Sequence, residues 1–216
     1  MPSCANATTS SAVARRRTPR PPTRERLKKA AVAHVQRHGT TSKGLTDVLT
    51  RKVKRDLHEI HAQQTENTED TDGNGGADDG ERAAILEEAL GWVTDVVAAL
   101  EGEGSLNDQL YAELFARSLH RSGKSRRLIQ SRLAQKGVSR EHADRAIGLL
   151  GDESDDIDGD AATEFARKRR FGAFRRRDIE LDDARRRKEL GAFARAGFSF
   201  DLARRMVEAE PSGDRD

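Results

Sequence analysis

The sequence is poor in the residues that build large cores and covalent frameworks. Aromatic residues make up 4% of the chain, with one Trp and one Tyr, and hydrophobic residues reach only 35%. That is too little for one deep core and suits small helical units, each burying a thin apolar stripe. The single cysteine, Cys4, excludes an intrachain disulfide and a multi-cysteine zinc site, and fits a reducing, cytoplasmic compartment. No apolar run approaches a membrane span. No β-branched run alternates with period two, so the class expected is all-α. Acids are missing before Glu25. The Ser, Thr, Ala and Arg of this region also fit a mitochondrial presequence, but Pro19, Pro21 and Pro22 interrupt any helix and the apolar region of a secretory signal is missing. Residues 1–23 therefore read as a disordered basic tail.

Catalytic groups are equally thin. His34 and His38 stand four apart, a spacing that can ligate a metal, yet no third ligand is placed beside them. His58, His61, His120 and His142 read as ordinary surface residues. Gly102-Glu103-Gly104-Ser105 is no phosphate loop. Gly123-Lys124-Ser125 has the last three letters of one but lacks the preceding glycine and a buried strand. The aspartates at 152, 155, 156, 158 and 160 lack the central glycine and terminal glutamate of a calcium loop. No catalytic residue, metal or cofactor is expected, and the chain reads as a binder, not an enzyme.

Charge is abundant, at 35% of residues, and nearly balanced, with a net charge of +2. Its distribution is uneven. The stretch Leu114–Arg140 holds no acid and eight cations: Arg117, Arg121, Lys124, Arg126, Arg127, Arg132, Lys136 and Arg140. Leu114, Phe115 and Leu119, then Leu128, Ile129 and Leu133, recur at helical spacing. Gly123 and Gly137 fall where helices stop, and Ser125 and Ser139 where the next are capped. A second basic block runs through Arg167, Lys168, Arg169 and Arg170, then Arg175, Arg176 and Arg177, then Arg185, Arg186, Arg187 and Lys188.

An internal repeat orders these pieces. Lys136-Gly137-Val138-Ser139 recurs as Ala196-Gly197-Phe198-Ser199, and Phe115-Ala116-Arg117 as Phe165-Ala166-Arg167. An apolar residue stands four before each glycine, Leu133 or Phe193. Ala143 or Ala203 stands four after each serine, and Ile147 or Val207 eight after. The second copy is ten residues longer between these landmarks, with the excess after Phe171. Each copy predicts three helices, the last two joined by a tight corner where glycine turns left-handed and serine caps. The predicted organisation is a divergent first three-helix repeat over 24–104 with a disordered acidic insert at 62–80, and a second repeat over 105–150. An acidic linker follows at 151–160, then a third repeat over 161–209 and a tail at 210–216. Tandem units predict an elongated, curved molecule with a cationic stripe, suited to a polyanion or an acidic protein groove.

These motifs resemble the RecX family of bacterial regulators of the recombinase RecA. The resemblance rests on Phe115-Ala116-Arg117-Ser118, Arg121 to Ile129, Leu133 to Ser139, Ala166 to Arg170 and Arg195 to Ser199. It implies binding along the helical groove of the RecA–single-stranded DNA filament by a protein that is not itself an enzyme; a monomer is expected. That binding would restrain strand exchange, ATP hydrolysis and filament-stimulated self-cleavage, and so bear on DNA repair, recombination and the SOS response. The contact residues expected are Arg117, Arg121, Lys124, Arg126, Arg127, Arg132, Lys136, Arg167, Lys168, Arg169 and Arg170, facing filament carboxylates or DNA phosphates. A general DNA-binding helical protein is the alternative.

Overall fold

The computed structural model describes residues 20–66, 75–151 and 156–210, with side chains over 20–63, 80–151 and 156–210. Among these residues nine α-helices and one short 3-10 turn form, and no strand. The helices are α1 (Arg24–Arg37), α2 (Ser42–Glu66), α3 (Gly75–Gly102), α4 (Asp108–Arg121), α5 (Arg126–Gln135), α6 (Arg140–Gly151), α7 (Ile157–Arg169), α8 (Asp183–Arg195) and α9 (Phe200–Glu208). The class is all-α and the architecture is three tandem three-helix units. The readings of residues 1–19 and 211–216 as tails lie outside the described residues.

Each unit owns a core. In the first, Leu27, Leu45, Leu49, Val53, Val93 and Leu100 are sealed from solvent. In the second, Ile129, Leu133, Ile147 and Leu150 pack over Ala112 and Ala116. In the third, Phe165, Phe193 and Phe198 meet at tilted angles with Ala162, Ala166 and Val207 around them. Full burial of one such large side chain contributes about 1.5–3 kcal/mol. The three cores are separate, so the body is an elongated row rather than one globule.

Local chemistry sets the helix ends. Thr23, Asn107, Ser125 and Ser199 each accept a hydrogen bond from a first-turn N–H of the helix they precede, and the Ser139 hydroxyl does the same for His142 N–H. Gly123, Gly137 and Gly197 hold φ of 77°, 79° and 89°, the left-handed conformation that closes a helix at least cost in glycine.

Two expected boundaries are corrected. Residues 62–66 continue α2 and 75–80 open α3, so helix reaches into both ends of the expected insert; its centre, 67–74, lies outside the described residues. Ala62 and Gln63 are good helix formers, and a composition average over the Gly- and Asp-rich centre hid them. Residues 157–160 belong to α7 rather than to a linker. Ile157 is buried with the second core and Asp156 caps the helix on Gly159 N–H. The rest of that acidic stretch, 152–155, lies outside the described residues.

The ten extra residues of the third unit fold back onto α9. A 3-10 turn, Gly172–Phe174, brings Arg175 inward. There it forms a buried pair with Glu189 of α8, Nη2 to Oε2 at 2.8 Å, and donates to the Val207 carbonyl at 3.0 Å. Both side chains are almost sealed, 4% and 2% exposed.

Candidate cationic site at the joint between the second and third units

The units join head to tail by one contact used twice. In the first joint, the N-terminus of α2 receives the second unit. The Thr41 hydroxyl donates to the Lys136 carbonyl at 2.6 Å, and Ser42 N–H donates to the Asp108 carboxylate at 2.8 Å. In the second joint, the N-terminus of α5 receives the third unit. Ser125 N–H donates to the Ala196 carbonyl at 3.2 Å, and Arg126 N–H to the Asp158 carboxylate at 2.8 Å. Helix N-termini present unsatisfied N–H groups and a positive dipole end, so a carboxylate there is doubly favourable. The corner glycine makes the approach possible: a Cβ on Gly197 would stand 2.9 Å from Leu128 Cβ.

This docking builds a groove of about 330 Å³ beside α5. Phe115, Leu119 and Leu128 form its apolar floor, and Lys124, Arg132, Lys136 and Arg195 surround it. Leu128 and Arg132 stand four apart on α5 and line one wall, and Lys124, just before the Ser125 cap, lines its entrance. No carboxylate lines the groove, and none pairs with its four cations among the described residues. A cavity walled by one sign of charge focuses its field on an incoming anion.

The two basic blocks meet at the same joint. Lys124 Nζ and Arg169 Cζ both stand 5.7 Å from the centroid of the Phe165 ring, close enough for cation–π attraction. Lys168 Nζ donates to the Arg121 carbonyl. Arg167 is held instead by Glu164 of its own helix, bidentate at 2.7 and 3.1 Å. The Arg167 hydrogen bond keeps the Glu164 carboxyl below its usual range, and Glu164 in turn raises Arg167.

Not every expected contact residue faces the groove. Arg126 and Arg127 are exposed, but each helix step rotates by about 100°, so they point away from the wall formed by Leu128 and Arg132. Arg121 is exposed and Arg117 half-exposed on α4, and neither lines the groove. Arg170 is exposed and ends α7 in the left-handed conformation, φ 56°. Of the wider basic block, Arg175 is corrected outright: it is a buried structural residue. Arg176 pairs with Asp178 at 3.0 Å and Arg186 with Glu208.

Arg195 is the groove residue that sequence reasoning missed. It lies one residue before the Ala196-Gly197 corner, and in the aligned repeats it matches Gln135, which also lines the groove. That correspondence between repeats was the available signal.

His34 and His38 stand ring to ring at 5.1 Å. Among the described residues no group of three or more His, Cys, Asp or Glu is placed to hold a metal ion, and no helix is long and apolar enough to cross a membrane.

Fold and joint define a class: a helical-repeat protein with a cationic groove between its second and third units. The family profile described as RecX, second three-helix domain, matches residues 107–147, the span from the cap of α4 into α6. A regulatory protein RecX of Myxococcus xanthus is 36% identical over 149 residues, covering 69% of this chain and 67% of that one. The regulatory protein RecX of Agrobacterium fabrum is 34% identical over 157 residues, covering 73% and 68%. The crystal structure of RecX from Lactobacillus salivarius shares the fold with a TM-score of 0.52 at 17% identity, covering 86% of this chain and 94% of that one. The chain belongs to the RecX family, whose curated relatives here are named regulatory proteins.

Proposed function

We propose that this protein binds the RecA–single-stranded DNA filament and restrains its strand exchange, ATP hydrolysis and coprotease activity, acting as a regulator of DNA repair. The observation that carries this reading is the carboxylate-free groove at the second joint, where Lys124, Arg132 and Lys136 of one unit converge with Arg195 of the next. Guanidinium and ammonium groups aimed at one cavity suit carboxylates or phosphates presented at fixed spacing. A row of units joined by repeated contacts can lie along a helical polymer and touch more than one subunit. Binding one filament state more tightly than another would shift its activity by that difference in affinity.

The test is RecA ATPase on single-stranded DNA with wild type and with a Lys124→Glu/Arg132→Glu/Lys136→Glu variant. Wild type is expected to lower the rate at micromolar concentration and the variant to lose most of that effect. No inhibition by wild type, or equal inhibition by the variant, refutes the reading. Equal affinity for bare and RecA-coated strands, falling steeply with salt, would favour a general DNA-binding protein.

A further inference from the structure

One joint is built twice in this chain, and its two copies differ in charge. Thr41 and Ser125 hold equivalent places. Each hydroxyl accepts from the N–H three residues on, Gly44 at 3.0 Å and Leu128 at 3.2 Å, and the N–H of the next residue meets an incoming aspartate. Counted from these caps, Lys124, Leu128 and Arg132 of the second joint answer to Thr40, Gly44 and Val48 of the first. Arg195 answers to Gln135 one unit earlier. Lysines do stand near the first joint, but Lys43 and Lys52 are each tied to an aspartate four residues on, at 2.8 Å. The first joint therefore closes without cations at these places and without a leucine at 44. Lys124, Leu128, Arg132 and Arg195 are not what holds two units together.

What they build is an amphipathic groove. Phe115, Leu119 and Leu128 line it half-buried, while Arg132, Lys136 and Arg195 around them are exposed. Two of the cations touch neutral partners only: Lys124 lies over the Phe165 ring, and Arg132 donates to Gln135 Oε1 at 3.3 Å. An apolar floor beneath cations fits a ligand that is apolar and anionic at once. A phosphodiester strand supplies the anions but has only its bases to offer the floor, and bases need a flat, open ring to stack on. The Phe115 ring is already stacked on Tyr111, with centroids 5.5 Å apart, and Leu119 and Leu128 are branched chains. A protein segment supplies both parts, carboxylates for the guanidinium and ammonium groups and a side chain for the floor.

We propose that this groove seats a short acidic segment of a partner protein. One large apolar side chain of that segment lies over Phe115, Leu119 and Leu128, and carboxylates on both sides of it reach Lys124, Arg132, Lys136 and Arg195. The groove's volume of about 330 Å³ is near the small end of the roughly 300–1,000 Å³ that ligand pockets occupy. It suits a side chain and its neighbours rather than a folded element. The proposal rests on the filament reading for where the partner is met, and narrows it: the groove holds protein, and DNA phosphates are not its ligand.

The probe is a short, end-blocked, fluorescein-labelled peptide with one central Phe and Asp or Glu on both sides, titrated into the full chain and followed by anisotropy. Its companions are the same peptide with Ser for Phe, the same with Lys for every acid, and an unlabelled thymidine oligonucleotide as competitor. The Phe peptide is expected to bind saturably, the Ser peptide about tenfold or more weaker, and the Lys peptide not at all. Leu128→Gln should weaken the Phe peptide toward the level of the Ser peptide. Arg132→Glu/Arg195→Glu should weaken both and admit the Lys peptide. The Phe-to-Ser comparison is made on the unaltered chain, so the apolar contact stays readable even where a variant misfolds. No binding, equal binding of the Phe and Ser peptides, indifference to Arg132→Glu/Arg195→Glu, or displacement of the Phe peptide by the oligonucleotide overturns the proposal. So does binding that appears only after deletion of residues 67–74, because this chain's own Glu69, Asp70 and Asp72 would then be the occupant. RecA ATPase separates the two readings. Inhibition without peptide binding removes this proposal alone, and peptide binding without inhibition removes the filament reading and leaves the groove assignment.

Discussion

Glu189→Ala tests the ionic clamp of the third unit directly. The substitution removes the carboxylate that meets Arg175 at 2.8 Å and leaves a guanidinium that is 4% exposed with the Val207 carbonyl as its remaining partner. Removing one member of a buried pair costs about 3–5 kcal/mol, because an uncompensated charge stays out of water. Whole domains are stable by only about 5–15 kcal/mol, so this is a large share of what one three-helix unit can hold. In a repeat array the loss should stay local and spread only through the neighbouring joint. Hydrogen exchange with urea-dependent far-UV dichroism is the assay. Amides of α8 and α9, including Phe193 and Val207, are expected to lose protection by about a hundredfold or more, a loss of about 3 kcal/mol. Those of α2 and α3 should change little. The paired change Arg175→Met/Glu189→Leu is expected to restore most of the stability, since packed apolar residues often replace a buried ion pair without loss. A cost below about 1 kcal/mol for Glu189→Ala, the value of an exposed pair, would refute the reasoning. So would a double variant as unstable as the single one.

Gly197→Ala is expected to cost about 1–3 kcal/mol, because an L residue is strained at φ 89° and its Cβ would press on Leu128; thermal unfolding measures it, and anion binding in the groove should fall as Arg195 shifts. Arg170→Gly should stabilise the third unit by about 1 kcal/mol by relieving the left-handed cap at φ 56°, read as a rise in urea midpoint. His34 is expected to titrate below the ordinary imidazole value of about 6.5, because burial, then His38 and Arg37, disfavour its charged form. The unfolded chain then takes up the proton first, so this contribution to stability is intact above that value and is lost as pH falls through the folded one. NMR titration checks the midpoint, and His38→Gln should raise it only in part because burial remains.

The sequence made the punctuation of the fold legible, and little of its three-dimensional sorting of charge. Gly123, Gly137 and Gly197, and the caps Ser125, Ser139 and Ser199, could be read because one residue carries each instruction. The apolar periodicity around Leu133 and Phe193 located the cores for the same reason. Arg175 looked like its neighbours Arg176 and Arg177, since burial of one arginine depends on Glu189, fourteen residues away and on another helix. Arg195 joined the groove only through the docking of one unit on another, which no local pattern encodes. Arg126 and Arg127 belonged to the right cluster in sequence but to other faces of the helix. Ala62 and Gln63 were obscured by averaging over a polar neighbourhood, although each favours the helix it occupies.

The N-terminus of α8 corresponds to the sites where the array accepts its second and third members. There Asp182 caps the helix by accepting from Arg185 N–H, with Asp183 beside it, where the earlier junctions have Thr41-Ser42 and Ser125-Arg126. A further unit arriving with its own aspartate, as Asp108 and Asp158 arrive, would meet two negative charges at the landing place. The N-terminus of α8 is therefore closed by its own cap, where those of α2 and α5 are open to Asp108 and Asp158. The chemistry that makes two of the three corresponding helix starts into docking seats is thus reversed in sign at the third.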